Sequence, residues 1–332
     1  MKIDIARQPL IPAFLTLAAL VAVAMWNVDF PAQPAPTSSP SDGSLAFTLP
    51  EVWLTQFQSA HPVWSKWMAA LLLLLAGTAI GRTSIRYNLY SVSTCLAIPL
   101  YGCLVSNFVV GDRFLTAALA AALLTLAFKN FSRSFCNGFG FDAIFRASLY
   151  LGMLPLVDSA TLPMLLMLPL AIVLFHRTLR EATVAVVGFL LPGLVVAYVN
   201  WGAGGDFLAP FVLAAKTFVD GLPLQLFTTL PIQQLALLGG ILVLDLLSML
   251  FFFSDIYAVG TKARFILLFN IGILILSAAT LCGPAADRGA MAILAVPSAI
   301  LLPFMMVRTH RPVSFIFYLL LLLSATLGVL LQ

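Results

Sequence analysis

The chain has 332 residues, of which 61% are hydrophobic and only 9% are charged. A soluble domain is usually about 45–50% apolar and about 25% charged, so this chain has more apolar surface than it could bury in water, and we expect lipid to be its solvent. The formal net charge of +4 does not indicate nucleic-acid binding, because no basic run is interleaved with aromatic residues.

About eleven apolar segments follow one another along the chain, separated by short polar breaks. A helix needs about 20 residues to cross the ~30 Å hydrocarbon core of a bilayer, and most of the segments approach that length. The sequence therefore predicts an all-α polytopic transmembrane helical bundle with about 11 spans, within the range 9–12, forming a single integral membrane domain over residues 1–332. The predicted spans are 10–27, 63–81, 89–110, 114–128, 143–157, 162–176, 183–200, 229–253, 264–283, 289–307 and 313–331.

Three consecutive predicted spans, 114–128, 143–157 and 162–176, are short for a crossing. The last two fit either two separate crossings or one re-entrant hairpin over 143–176. Both alternatives leave the sidedness of the remaining spans unchanged.

The lysines and arginines divide unevenly between the two sides that these spans define. With a cytoplasmic N-terminus, thirteen lie on the cytoplasmic side and four on the outer side. Cytoplasmic loops of membrane proteins hold an excess of Lys and Arg, so this division predicts a cytoplasmic N-terminus and an outer C-terminus. The four outer cations are Lys66, Arg113, Lys216 and Arg288.

Two outer segments are longer than the other connections. The first, 28–62, begins with a Pro/Ser-rich stretch that cannot form a packed core. It continues into a predicted amphipathic helix near 49–58, in which Trp53 and Phe57 are suited to the membrane surface. The second, 201–228, contains an apolar stretch that predicts either a surface helix or a re-entrant helix.

The outer side holds eight of the thirteen acidic residues. One interpretation is that these residues only solvate the outer loops. The other is a catalytic vestibule, in which Glu51 or Asp29 accepts a proton from an acceptor hydroxyl. Outer cations would then hold a lipid-linked phosphate. The candidate substrate-binding residues are Asp112, Arg113, Lys216 and Asp206.

Asp245 lies near the middle of the predicted span 229–253, where a charged residue is a functional candidate. Gln234 and Ser248 fall on nearly the same helical face and extend a polar stripe. One hypothesis is a proton or ion relay, or a contact with a polar ligand. The alternative is a buried hydrogen bond between helices, with Asn270 on the next span as the first candidate partner.

Asp142 and Arg146 are four residues apart, with the acid nearer the N-terminus, which predicts a structural ion pair at a helix start. The four cysteines and three histidines show no metal-ligand spacing. We therefore expect neither a metal site nor a cofactor.

The stretch Phe139–Val199 contains Phe141-Asp142 at a helix start, Gly152, the loop Arg177–Arg180-Glu181, and Gly188 with Pro192 in the next span. In these motifs it resembles a family of uncharacterised polytopic inner-membrane proteins of Bacteroidetes. The resemblance implies a multi-pass protein of the bacterial inner (cytoplasmic) membrane.

The chain is also loosely similar to polytopic glycosyltransferases that use polyprenyl-phosphate sugars. Those enzymes have a long first outer loop with an amphipathic helix and an acidic pair in that loop. The similarity implies an enzyme of this glycosyltransferase type. In this chain Asp29 and Glu51 are far apart, and the loop contains no adjacent acidic pair.

Three functions are consistent with the sequence. The first is a cell-envelope enzyme that acts on a lipid-linked, polyprenyl-phosphate sugar at the outer leaflet. The second is a non-catalytic membrane subunit of an envelope complex, and the third is a transporter or flippase component built around Asp245. The expected partners are the lipid bilayer and either a lipid-linked substrate or other envelope membrane proteins, and not nucleic acid.

Overall fold

The computed structural model describes residues 8–28, 50–108, 113–136, 140–219 and 223–330. Over these ranges the protein is all-helical, with 84% helix and no strand. The predicted all-α class is therefore confirmed. The helices in chain order are α1 (Leu10–Trp26), α2 (Pro50–Ala60), α3 (Pro62–Arg86), α4 (Ala97–Phe108), α5 (Phe114–Cys136), α6 (Phe141–Val157), α7 (Met167–Leu174), α8 (Leu179–Gly202), α9 (Ala209–Val219), α10 (Gln225–Thr229), α11 (Ile232–Ser254), α12 (Thr261–Leu281), α13 (Met291–Arg308) and α14 (Arg311–Leu330). Short 3-10 helices span Ser159–Leu166 and Arg288–Ala290.

Six helices within the described ranges are long and apolar enough to cross a membrane. They are α3, α5, α8, α11, α12 and α13, the last together with the 3-10 turn that precedes it. Shorter apolar helices cover Leu10–Trp26, Ala97–Phe108, Ser159–Leu174 and Arg311–Thr326. Length and apolar composition thus support a membrane protein with several transmembrane helices.

Two of the predicted spans have wrong boundaries. The predicted span 114–128 stops before the charge of Lys129, but α5 continues through Lys129 and Arg133 to Cys136, since no Gly or Pro interrupts it. The predicted span 89–110 starts too early, because its first eight residues are not helical and α4 starts at Ala97. The Cys95 amide of this non-helical stretch donates to the Gln8 carbonyl before α1, at 3.1 Å.

The predicted span 162–176 is two elements rather than one helix. Its first part is the 3-10 helix Ser159–Leu166, which contains Pro163 and is capped by Asp158, and its second part is α7. Pro163 lacks the N–H that an α-helix uses at interior positions, and it lies inside the more tightly wound part.

The buried fraction of their residues distinguishes the central helix α13 from the peripheral helices α8 and α11. In the most apolar stretch of α13, 94% of the residues are buried, against 17% for α8 and 28% for α11. The peripheral helices therefore present leucine and valine side chains to their surroundings, as on a surface that faces lipid.

All five tryptophans lie at one end of the bundle, which we call the tryptophan end. Each side chain is more than half exposed. Exposed tryptophans in one layer are typical of a membrane–water interface. They are Trp26 at the end of α1, Trp53 on α2, Trp64 and Trp67 at the start of α3, and Trp201 at the end of α8.

The opposite end carries most of the arginines, and we call it the arginine end. Contacts between helix termini tie it together. Arg177 donates to the Ser134 hydroxyl at 2.7 Å, and Arg308 pairs with Asp255 at 3.1 Å. The cations of this end are Arg82, Arg86, Lys129, Arg133, Arg146, Arg177, Arg180, Lys262, Arg264, Arg308 and Arg311.

Two glycines allow α6 and α8 to pack closely. A methyl group added at Gly152 of α6 would overlap the carbonyl oxygen of Phe189 on α8. One added at Gly188 of α8 would lie 2.8 Å from the carbonyl oxygen of Phe145 on α6. Small residues at both positions are the usual means of close helix approach in membranes.

We expect Gly152→Ala to lower the free energy of unfolding by about 1–3 kcal/mol, because the new methyl group meets backbone and forces the helices apart. The matched control is Gly240→Ala on α11, where an added methyl group has no neighbour within 4 Å. That control should be neutral or stabilising by up to about 1 kcal/mol. Unfolding of the purified chain in detergent measures both, and equal effects of the two changes would contradict the packing assignment.

Candidate functional site at the tryptophan end

Helix α2 lies across the start of α5. The predicted amphipathic helix near 49–58 is this helix, Pro50–Ala60. The Gln58 side chain is buried and accepts a hydrogen bond from the Leu115 amide at 3.1 Å, so it satisfies an N–H that the first turn of α5 leaves free. The Trp53 and Phe57 rings stack with their centroids 5.7 Å apart.

An ion pair joins α2 to the residue before α5. Arg113 Nη1 lies 2.5 Å from Glu51 Oε1, and the other oxygen, Oε2, accepts from the Ser159 amide at 3.4 Å. The Glu51 side chain is 14% exposed and that of Arg113 is 48% exposed. The carboxylate is thus held inside the surface while the guanidinium remains accessible to an incoming anion.

Asp158 lies behind this pair, between α6 and the 3-10 helix Ser159–Leu166. It is buried, and its Oδ1 accepts from the Ala160 amide at 3.0 Å. Burial raises the pKa of Asp158 to about 8, and the negative charges of Asp287 and Glu51 add to the rise. The Ala160 hydrogen bond and the charge of Arg113 oppose it. Burial and the neighbouring negative charges therefore both favour the protonated form of the Asp158 carboxyl.

Asp287 brings a third carboxyl from the turn before α13. Its Oδ1 accepts from the Ala290 amide at 3.1 Å and caps the 3-10 helix Arg288–Ala290. A methyl group added at Gly289 would lie 3.2 Å from the Ala117 side chain, so this turn packs on the first turn of α5, one turn beyond Arg113. We call Glu51, Arg113, Asp158 and Asp287 the outer cluster.

The cluster contains two of the six sequence-predicted catalytic and substrate-binding residues, Glu51 and Arg113. Asp29 and Asp112 lie outside the described residues. Lys216 on α9 and Asp206 before it lie in the second outer segment, and within the described ranges neither forms an ion pair with the cluster. The predicted role of Lys216 and Asp206 in substrate binding is therefore not supported by these ion pairs.

From the sequence, Asp158 and Asp287 are predicted only as two of the eight acidic residues on the outer side. A local signal was present, because each carboxylate precedes a short helix and caps it. That signal predicts a structural cap. It could not predict that two caps, distant in the sequence, would meet the same ion pair.

Asp245 faces the bundle interior and is 1% exposed. Its hydrogen-bond partner is Ser298 of α13, whose hydroxyl donates to Asp245 Oδ2 at 2.6 Å, and not Asn270 as predicted. The reason is that α13 lies between α11 and α12. Asn270 therefore reaches α13 from the other helix, where its amide donates to the Pro297 carbonyl at 2.9 Å.

Further polar side chains contact the middle of α13. Ser248 donates to the Leu301 carbonyl at 2.9 Å, and Tyr90 donates to the Ile300 carbonyl at 2.7 Å. Asp245 Oδ1 and Asn270 Oδ1 are buried without a hydrogen-bond partner. Gln234 is half-buried near the start of α11, about 16 Å of helix rise from Asp245, and so does not share this contact region.

At the arginine end, Asp142 and Arg146 form the predicted i,i+4 ion pair at 2.8 Å, with both side chains exposed. Glu181, which the sequence places in a loop with Arg177 and Arg180, is buried in the first turn of α8. It pairs with Arg177 at 3.2 Å and closes a capping box with Thr178 at the start of α8. This pair anchors the turn between α7 and α8.

Among the residues that the structure describes, no group of three or more His, Cys, Asp or Glu side chains could hold a metal ion. In comparisons with known proteins, no family model, no curated protein and no solved structure matches the chain.

The raised pKa of Asp158 makes stability dependent on pH. The unfolded chain releases this proton near pH 4, whereas the folded protein holds it to about pH 8. The protonated Asp158 contributes fully to the free energy of unfolding below about pH 4. This contribution falls by about 1.4 kcal/mol per pH unit as the pH rises from there, and it is lost above about pH 8.

We expect the unfolding temperature in detergent to fall between about pH 5 and 8, and Asp158→Asn to remove much of that slope. The amide oxygen that this change introduces can still accept from the Ala160 amide. The control is Asp206→Asn, an acid of the second outer segment at the same end, which should keep the wild-type slope. Parallel pH profiles for the wild type and Asp158→Asn would show that the carboxyl is not buried in its protonated form.

Proposed function

We propose that this chain is a multi-pass protein of the bacterial inner membrane that acts in cell-envelope biogenesis on a lipid-linked phosphate substrate at the outer leaflet. The observation that carries the proposal is the Glu51–Arg113 ion pair, which lies beside the buried Asp158. This arrangement brings a candidate base and an accessible cation together beside an amphipathic surface helix.

The proposed topology has eleven crossings, an inner N-terminus and an outer C-terminus. The crossings are α1, α3, α4, α5, α6, the 3-10 helix with α7, α8, α11, α12, α13 and α14. Two features of the bundle support this topology. The tryptophans lie together at one end, and the arginines lie together at the other. An excess of cationic residues is typical of the cytoplasmic side, so the arginine end is the proposed inner end.

The outer cluster fits recognition of a lipid phosphate. A phosphate can replace Glu51 as the partner of Arg113, because the guanidinium is half exposed and phosphate accepts two parallel hydrogen bonds from arginine. That exchange would free the Glu51 carboxylate next to the bound substrate. The raised pKa of Asp158 favours its neutral form and so limits the negative charge of the cluster.

The reaction we propose is glycosyl transfer from a polyprenyl-phosphate sugar. The acceptor hydroxyl oxygen bonds to the anomeric carbon while the bond from that carbon to the phosphate oxygen breaks. Glu51 takes the hydroxyl proton, and the polyprenyl phosphate leaves with the bonding electrons. Arg113 stabilises the charge that develops on the leaving phosphate.

A second candidate, transport through the bundle, is favoured by the two unpartnered oxygens of Asp245 and Asn270 beside α13. The short Ser298–Asp245 hydrogen bond supports a tie between helices instead. We therefore place the site at the tryptophan end.

Purified chain in liposomes, incubated with a radiolabelled polyprenyl-phosphate sugar and a mixture of envelope acceptors, tests the proposal. We expect Glu51→Gln to slow release of the sugar about 10²–10⁴-fold with substrate binding retained, since the base is lost. Arg113→Gln should weaken binding itself. The matched controls are Asp142→Asn and Arg146→Gln, which change the exposed pair at the arginine end and should behave as wild type.

Wild-type rates in Glu51→Gln would contradict the role of Glu51. Failure of the wild-type chain to bind or consume the labelled lipid would contradict the substrate class.

A further inference from the structure

A cavity of about 100 Å³ lies between α3 and α5 at the arginine end. Four of its six lining side chains are cationic, and it is remote from the outer cluster, since the two lie at opposite ends of α5. The lining residues are Arg82, Thr83, Arg86, Tyr87, Lys129 and Arg133.

The two helices supply these cations in matching pairs. Arg82 and Arg86 are four residues apart on α3, and Lys129 and Arg133 are four residues apart on α5. Each pair therefore lies on one helix face, and the two faces meet at the cavity. Like charges at this spacing repel each other within a helix, and the facing pair adds to the repulsion.

No acidic side chain relieves this repulsion in the described part of the chain. Each acid described at the arginine end pairs with a different arginine: Asp142 with Arg146, Glu181 with Arg177, and Asp255 with Arg308. Among the described ion pairs, none includes a cation of the cavity. Arg86 only lies over the neighbouring Tyr87 ring, at 5.8 Å. The lining of the cavity thus carries positive charge that no described acidic side chain offsets.

An apolar groove leads into the cavity. It has a volume of about 310 Å³ and shares Arg82 and Lys129 with the cationic cavity. Alanines leave the groove open between leucines, and Leu75, which lines it, is 57% exposed, so the groove opens to the surroundings of the bundle. Its other lining residues are Leu72, Ala76, Thr78, Ala79, Ala122 and Leu126.

The groove has the length of one acyl chain in one leaflet. From Leu72 to Arg82 the helix rises about 15 Å, which is half of the ~30 Å hydrocarbon core. A phospholipid of the surrounding leaflet can therefore enter from the side, with its chain along the groove and its phosphate at the cations.

We propose that the α3–α5 site binds an anionic membrane phospholipid, whose phosphate neutralises Arg82, Arg86, Lys129 and Arg133 while one acyl chain fills the groove. Basic pockets between transmembrane helices are suited to anionic headgroups. Bound lipid removes the repulsion between α3 and α5 and so holds these helices together. This role is separate from the reaction proposed at the tryptophan end.

The test is the unfolding temperature of the purified full-length chain in a neutral detergent, with added phosphatidylglycerol or phosphatidylcholine. We expect phosphatidylglycerol to raise the unfolding temperature and phosphatidylcholine to leave it unchanged. Raising the ionic strength should weaken the effect of phosphatidylglycerol, because salt screens the contact with phosphate.

The variant is the double change Arg82→Gln with Lys129→Gln. We expect it to need at least about tenfold more phosphatidylglycerol for the same temperature shift. Without lipid it should unfold no lower than the wild type, because two repelling charges are gone, and this separates lost binding from misfolding. Arg146→Gln, an exposed arginine at the same end with its own acidic partner, is the matched control and should respond as wild type.

Three results would overturn the proposal: no shift with phosphatidylglycerol, an equal shift with phosphatidylcholine, or an equal response of the double variant. Polyprenyl phosphate serves as a competitor in the same assay. If it displaced phosphatidylglycerol at a concentration about tenfold lower, the occupant would be a lipid carrier and the assignment to membrane phospholipid would be wrong.

Discussion

Exclusion of charge from the middle of the bundle is the constraint on which the rest of the structure depends. Lipid offers no hydrogen bonds, so a polar group at membrane depth must find its partner inside the protein. Asp245 Oδ2 has such a partner in Ser298, and the Asn270 amide group and the Ser248 hydroxyl donate to carbonyls of α13. Asp245 Oδ1 and Asn270 Oδ1 have no hydrogen-bond partner among the described residues. The most buried helix is therefore also the one that neighbouring polar side chains hold in place.

The remaining charged residues lie at the two ends of the bundle, and the two ends differ in the sign of the charge that predominates. At the tryptophan end, carboxyls outnumber cations in the outer cluster, and burial raises the pKa of Asp158, which favours its neutral form. At the arginine end, the cations exceed the acids, and four of them gather without an acidic partner among the described residues. The same partition thus gathers carboxyls around Arg113 at one end and four cations around one cavity at the other.

The helical class and most of the helix positions follow from the sequence, because long apolar runs bounded by polar residues have few other solutions. The predicted span boundaries were wrong where a single kind of residue, such as a charged one, was taken to decide where a helix ends. The charge of Lys129 does not end a span, because a long cationic side chain can remain on a helix and extend its charge towards the interface. The proline at position 163 marks a change of winding that hydrophobicity alone could not show.

The candidate site was predictable only in part. Glu51 and Arg113 are predictable because a carboxylate on an amphipathic helix and a cation beside the next outer loop suit phosphate chemistry, and the fold joins them. Asp158 and Asp287 are local helix caps, and only the packing of α2, α5 and α6 brings them to that pair. Likewise, the partner of Asp245 depends on which helix lies between α11 and α12, which no local pattern reveals.

Labelling of single cysteines in spheroplasts with a membrane-impermeant maleimide tests the partition of the two ends most directly. One chain keeps only Cys282, which is exposed beyond α12 at the tryptophan end. The other has all native cysteines replaced and carries Ala258→Cys, at an exposed position after α11 at the arginine end. We expect Cys282 to be labelled in intact spheroplasts and the cysteine introduced at position 258 to be labelled only after lysis. The opposite pattern would contradict the proposed orientation and, with it, the placement of the outer cluster at the outer leaflet.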